Sequence, residues 1–298
     1  MLKCVTSKEY WIPFGFVAPT LLVLIAVNIF PLLYSVVLSF SNADLVGGDY
    51  AWIGTLNYSL IFHDPRYGTA FRTTALFVGA AVTIELVIGY GLALALRSDF
   101  RGKSAMLMVL LIPMMLPPAV IGLFWKFIFN SSYGILNQIL GNLHLSEPQW
   151  VVDPELKLLS VLIIDVWMWT PFMLLISLAA LNSIPYQIYE AAAIDRASGW
   201  KVFRRITIPM SAPLVGLAVL LRATDALKQF DLVMAITGPN DGSTQTLSAL
   251  LYQVMFRDGK VGLSSAYSYI VLVVVIALAT VFIRYLNGLQ RKSEGIMS

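Results

Sequence analysis

Six apolar runs divide the chain, at about 12–40, 73–96, 105–129, 158–181, 213–236 and 265–286. Each is close to or above the ~20 mostly apolar residues that a helix needs to cross a bilayer. The pattern predicts an all-α integral membrane bundle of six transmembrane helices. The strongest runs are 12–40, opening IPFGFVAPTLLVLIAVNIF, and 265–286, containing YIVLVVVIALATVFI; the weakest is 213–236, which charges interrupt. The first run exceeds the ~7–15-residue core of a signal peptide and reads as a retained anchor. Composition agrees: 58% hydrophobic and 12% charged residues, against ~25% charged in soluble domains, exclude a large soluble core.

Charge sets the expected orientation. Lys3, Lys8, Arg97, Arg101, Lys103, Arg196, Lys201, Arg204, Arg205, Arg284, Arg291 and Lys292 fall on one side of the six runs. Only Arg66, Arg72, Lys126, Lys157, Arg257 and Lys260 fall on the other, over longer loops. Cationic loops stay cytoplasmic, so both termini and the 183–210 loop are expected in the cytoplasm. The net charge of +3 follows from this bias and gives no reason to invoke nucleic acid. The outer loops 41–71, 130–157 and 237–264 carry turn residues (Gly47-Gly48, Glu147-Pro148, Gly238-Pro239-Asn240-Asp241-Gly242) and are too short to be domains. A lone Cys4 excludes a disulfide within the chain.

Catalytic patterns are missing. His63 and His144 lie in separate outer loops with no second ligand-type partner. Gly102-Lys103-Ser104 looks like the end of a phosphate-binding loop, but Arg97 stands where the first glycine belongs. No metal is expected, and no covalent chemistry by this chain.

The loop between the fourth and fifth runs has a helix-forming sequence of its own. Ser183 is expected to cap a helix with Pro185 in its first turn, running through Tyr189-Glu190-Ala191-Ala192-Ala193. The chain must turn near Ser198-Gly199, where Ser198 is a second candidate cap. Trp200, Phe203 and Ile206 then form an apolar face that Pro209 ends. Two short helices at an angle suit a docking element; an amphipathic loop lying on the membrane surface is the alternative.

Charges inside the spans are costly, about 2.5–3.5 kcal/mol each at mid-membrane. Arg222, Asp225, Lys228 and Asp231 recur every three residues in the fifth run, a spacing that keeps neighbours on one helical face. Arg222 comes nine residues after Pro213, roughly 13 Å along the helix at the standard rise, near the bilayer centre. Arg222–Asp225 and Lys228–Asp231 could be structural pairs, or some of these groups could line a translocation path and bind substrate hydroxyls. Glu85, midway along the second run, must also face inward, with Arg222 or Lys228 as partner. In the fourth run Asp165, Trp167 and Trp169 offer an acid beside aromatic rings, a way to hold a sugar, although tryptophans near a boundary also serve as interface anchors. Pro113, Met114, Met115, Pro117 and Pro118 read as a kinked packing surface.

The 190–209 stretch, EAAAIDRASGWKVFRRITIP, resembles the EAA loop of binding-protein-dependent ABC importer permeases: EAA, three residues, Gly, nine residues, Ile, any residue, Leu-Pro. Glu190, Ala191, Ala192, Ile206 and Pro209 fit. Arg196 replaces the glycine and Ile208 the leucine, with Gly199 expected to supply the displaced flexible point. ITGPNDGSTQTLSALLY at 236–252, and the opening WIPFGFVAPTLLVLIAVNIFPLLYSVVLSF with its WIGTLNYSLIFHDP loop, are similar to sugar permeases of the carbohydrate uptake family (maltose, glycerol-phosphate and polyol type), the first of its two paired subunits.

The resemblance implies a type I ABC importer permease fold. Residues 1–70 would hold the N-terminus, first helix and outer loop. Residues 71–287 would form the permease core around the 183–210 coupling loop, with 288–298 as a cytoplasmic tail. Glu190, Ala191, Ala192, Arg196, Gly199, Ile206 and Pro209 would belong to the ATPase contact. Implied partners are a second permease, two copies of a cytoplasmic ATPase that binds the ATP and Mg, and an extracytoplasmic solute-binding protein. The setting would be the bacterial inner membrane and the cargo a sugar or polyol. A stand-alone secondary transporter, with Glu85 or Asp225 carrying a coupling proton, is the alternative.

Overall fold

A computed structural model describes residues 7–47, 50–238 and 241–297. Lys3, Cys4, Gly48, Pro239 and Asn240, which bear on the expectations above, lie outside them. Helix α1 (Ser7–Leu24) passes through a π-type turn at Ile25–Ile29 into α2 (Phe30–Ser39). After a loop come α3 (Leu56–His63), the long α4 (Pro65–Ala95), α5 (Lys103–Leu111) and α6 (Pro118–Ile128). The short α7 (Ile135–Asn142) precedes α8 (Pro154–Asn182), then α9 (Tyr186–Ile194) and α10 (Gly199–Val202). A second π-type turn, Phe203–Thr207, leads into α11 (Ile208–Ala226), followed by α12 (Asp231–Ile236), α13 (Leu247–Tyr252) and α14 (Val261–Met297). Among the described residues no strand forms beyond one isolated bridge, Ser41 to Trp52.

Among the described residues five helical stretches are long and apolar enough to cross a membrane: Phe16–Ser39, Pro65–Ala95, Pro154–Asn182, Gly199–Ala226 and Val261–Arg284. The expected third helix over 105–129 is not continuous. It is broken into α5 and α6 by a 3-10 turn at Pro113–Met115 and two extended residues, Leu116 (ψ 145°) and Pro117 (ψ 135°). Each of these two precedes a proline, whose ring disfavours helical backbone at the residue before it. The run at 213–236 also differs: its helix ends at Ala226 and resumes as α12. At the far end, α14 continues through the segment expected as a tail.

The described residues up to Asp64 form one compact unit with Val254–Ile270. Here the Asn57 amide donates to the carbonyls of Ser39 (2.9 Å) and Ser41 (2.8 Å), satisfying the open end of α2. Gly262 is required at the crossing, because a Cβ there would lie 2.1 Å from the Ser41 carbonyl oxygen.

Residues Pro65–Gln253 with Val271 onward form the second unit. Lipid is as apolar as a leucine side chain, so helices in a membrane associate through close packing and small residues at the contact. Ala81, Ala93, Ala180 and Ala218 are fully buried between α4, α8 and α11. Gly89 is where α4 meets α8: a Cβ would stand 2.6 Å from Met173 Cβ and 2.9 Å from the Leu174 nitrogen. Phe77, Ile121, Phe129, Ile164, Met168 and Leu232 fill the core.

Candidate functional site

Three helices of the second unit bring one charged side chain each to a common point. α4 supplies Glu85, α8 Asp165 and α11 Arg222, all with at most 1% of the side chain exposed. Arg222 addresses Glu85 as a fork: Nε donates to Oε2 at 2.9 Å and Nη2 to Oε1 at 3.0 Å, the geometry in which a planar guanidinium binds a carboxylate most strongly. Nη2 also donates to Asp165 Oδ2, and Asp165 Oδ1 accepts from Gln229 Nε2 at 2.7 Å. The Trp169 ring covers the guanidinium, its centre 5.0 Å from Cζ. An interior arginine is sustained here by two carboxylates from two other helices, so the cluster ties α4, α8 and α11 together.

The sequence names the members and leaves Glu85 to pair with Arg222 or Lys228; the structure places it on Arg222. The expected Arg222–Asp225 contact exists at 3.5 Å, with Asp225 half exposed, and is subordinate to the Glu85 fork. The expected Lys228–Asp231 pair is not formed among the described residues: the helix ends at Ala226, before Lys228, and resumes only at Asp231, so the three-residue helical spacing does not apply. Asp225, Lys228 and Asp231 instead border a polar recess of about 190 Å³ with Trp169, Gln229, Phe230 and Pro118. Trp167 does not join: two residues from both Asp165 and Trp169, it faces another side of α8, lies edge-on to Trp125 at 5.5 Å and lines an apolar groove. Gln229 was missed. As a neutral amide it gave no charge signal, yet it bonds Asp165 and its carbonyl accepts from Thr246 Oγ1 at 2.9 Å.

The 183–210 loop folds as α9 and α10 in succession. The turn between them lies at Arg196, whose φ of +50° is left-handed. Its N–H donates to Ala193 O (3.0 Å) and that of Ala197 to Ala192 O (2.9 Å), the paired closure that ends helices at a residue usually glycine. Arg196 therefore adopts a backbone that favours glycine. Gly199 does not take over this role; it sits in the first turn of α10. Ser183 does not cap α9: its hydroxyl turns back to Ala180 O at 2.8 Å, and Pro185 occupies the cap position. Ser198 does cap α10, accepting from Lys201 N at 3.4 Å. Pro209 ends nothing. It lies inside the continuous helical stretch Gly199–Ala226, directly after the π-type turn Phe203–Thr207.

Glu190, Ala191, Arg196, Gly199 and Pro209 are exposed, Ile206 is half-buried, and Ala192 is packed inward. Beside them stand apolar side chains with little cover: Ile194 is 82% exposed, Tyr186 70% and Trp200 69%. Such an apolar patch around a carboxylate is a surface suited to a protein partner.

The segment after α12 is tied down by charge. Lys157, at the start of α8, pairs with Asp241, which also accepts from the Ser243 N–H at 3.0 Å. Partial burial would raise the Asp241 carboxyl; the Lys157 ammonium and the Ser243 donors outweigh it and hold the group below its ordinary value of 3.8.

Residues 85–293 match the family described as binding-protein-dependent transport system inner membrane component. The trehalose transport system permease protein SugA of Mycobacterium tuberculosis is 33% identical over 277 residues, 93% of this chain and 89% of that protein. The trehalose/maltose transport system permease protein MalF of Thermococcus litoralis is 30% identical over 277 residues, 93% of this chain and 94% of that one. A chain of a bacterial alginate ABC transporter, solved in complex with an alginate pentasaccharide-bound periplasmic protein, shares the fold with a TM-score of 0.82 over 96% of each chain, at 18% identity.

Proposed function

The chain belongs to the family of binding-protein-dependent transport system inner membrane components, and from that premise we propose that it forms half of the membrane pathway of an ATP-driven sugar importer. Its relatives are named as trehalose and trehalose/maltose transport system permease proteins, not as ion-coupled carriers, and the secondary-transporter reading is set aside. In the proposed assembly a second permease completes the pathway and two cytoplasmic ATPases supply the energy, binding the ATP and Mg. An extracytoplasmic binding protein delivers the sugar or polyol. Both termini lie in the cytoplasm, and the broken α5–α6 pair brings the crossings of the chain to six, five of them in a type I importer core over 71–287.

One observation supports the coupling role above the others. α9 and α10 leave Glu190 exposed beside Tyr186, Ile194 and Trp200, on the loop whose 190–209 stretch fits the EAA pattern. This surface docks on the ATPase, with Glu190 meeting a cation there. Detergent extraction and affinity purification of the chain from its own membranes tests the reading: an ATPase and a second permease copurify. Recovery of an active transporter containing this polypeptide alone overturns it.

The intramembrane charges divide between two roles. Glu85, Asp165 and Arg222 are sealed from solvent and fasten helices. Asp225, Lys228, Asp231 and Trp169 border the polar recess and are the candidates to meet substrate hydroxyls and the C–H face of a sugar ring. Trp167, facing the apolar groove, has no part in either.

A further inference from the structure

We propose that Tyr189 is a positioning residue for coupling, the side chain through which α9 grips both α4 and α11; this rests on the reading of α9–α10 as the ATPase docking element. The Arg97 guanidinium carbon, just past the end of α4, lies 4.1 Å from the centre of the Tyr189 ring. On the same side chain, the hydroxyl lies 3.2 Å from Thr207 Oγ1, immediately before α11. A single side chain of α9 thereby touches the cytoplasmic ends of two membrane spans. Its neighbour Glu190 is exposed and leaves the helix about 100° away from it: one points to the partner, the other to the spans.

A second tie lies beside the first. Ser211 Oγ donates to Thr207 O at 2.7 Å, so the Tyr90 hydroxyl, 2.9 Å away, is the donor to it. Thr207 and Ser211 are buried, and the Phe203 ring lies 6.5 Å from Tyr90 and 5.7 Å from Trp200. Further along the same two helices, Glu85 and Arg222 join in the fork described above. Ser211 to Arg222 is about 16 Å at the standard helical rise. α4 and α11 are therefore fastened at two heights, and a displacement of α9 reaches them as a pair.

The test uses the complete transporter, both permeases with ATPase and loaded binding protein, reconstituted in liposomes. Tyr189→Phe removes the Thr207 contact, Arg97→Met removes the cation from the ring, and Arg97→Lys keeps one. The double variant Tyr189→Phe/Arg97→Met is expected to copurify with ATPase in the wild-type ratio and to hydrolyse ATP within twofold of wild type. Its sugar transported per ATP falls about tenfold, and Arg97→Lys alone stays within twofold of wild type. An unchanged transport-to-hydrolysis ratio overturns the proposal. So does a loss of transport that follows a loss of bound ATPase, or failure of both Tyr189→Phe and Arg97→Met to reach the membrane. If the wild-type chain binds no ATPase, the underlying reading fails first.

Discussion

Arg196 takes a left-handed backbone that residues with a Cβ adopt at a cost of about 1–2 kcal/mol. Nothing in the sequence around it marks that strain; only the motif position does, since glycine is the residue the pattern asks for there. Arg196→Gly should keep transport and raise the melting temperature of the complex by a degree or two. Arg196→Val, with a branched Cβ at φ +50°, should lose most transport at unchanged expression. Glu190→Lys tests the other end of the loop: uptake should vanish while the complex still reaches the membrane, and normal uptake would remove Glu190 from the contact. Within the membrane, Arg222→Leu leaves Glu85 and Asp165 buried without their cation. Stripping a buried charge of its partner costs about 3–5 kcal/mol, so the variant should yield little folded protein in detergent. Glu85→Gln/Arg222→Met, which removes the charged pair together, should recover part of that yield.

Helix contacts carry the next layer. Gly89→Val would drive a side chain into Met173 and the Leu174 backbone; overpacking of this kind costs roughly 1–3 kcal/mol and should lower thermal stability without altering ATPase binding. Lys157→Met should free the 241–246 segment, seen as faster proteolysis there at neutral pH. The same tether responds to acid. Because the folded Asp241 value is depressed, its contribution is complete above the ordinary 3.8 and is lost as pH falls below that figure toward the folded value. Most spans could be read from apolar run length alone, since a bilayer demands that length and little else does. The break at Pro113–Pro118 is written in the prolines, but prolines alone do not distinguish a kinked helix from two separate ones. The end of α11 was not legible: Leu227-Lys228-Gln229-Phe230 holds no proline or glycine, and the turn is fixed by bonds from Gln229 to Asp165 and from Thr246 to Gln229, far apart in sequence. Arg222 was identifiable as an interior charge by its cost, but its choice of Glu85 depends on how α4 and α11 rotate against each other, which no local spacing encodes.

In the assembly proposed above, ATP drives transport and this chain supplies the gate and the grip. A protonophore added with ATP held constant should leave uptake within about twofold; abolition would return the ion-coupled alternative. The order of the helices along the chain matters as well. Glu85 and Asp165 leave the ribosome 137 and 57 residues before the arginine that neutralises them. Until Arg222 emerges, the nascent polypeptide holds two acids that lipid tolerates poorly, so the lateral exit of α4 and α8 from the insertion channel is expected to wait on α11. Chains arrested near residue 200 should stay bound to that channel or be destroyed by membrane quality-control proteases, and Glu85→Gln/Asp165→Asn should let such fragments persist.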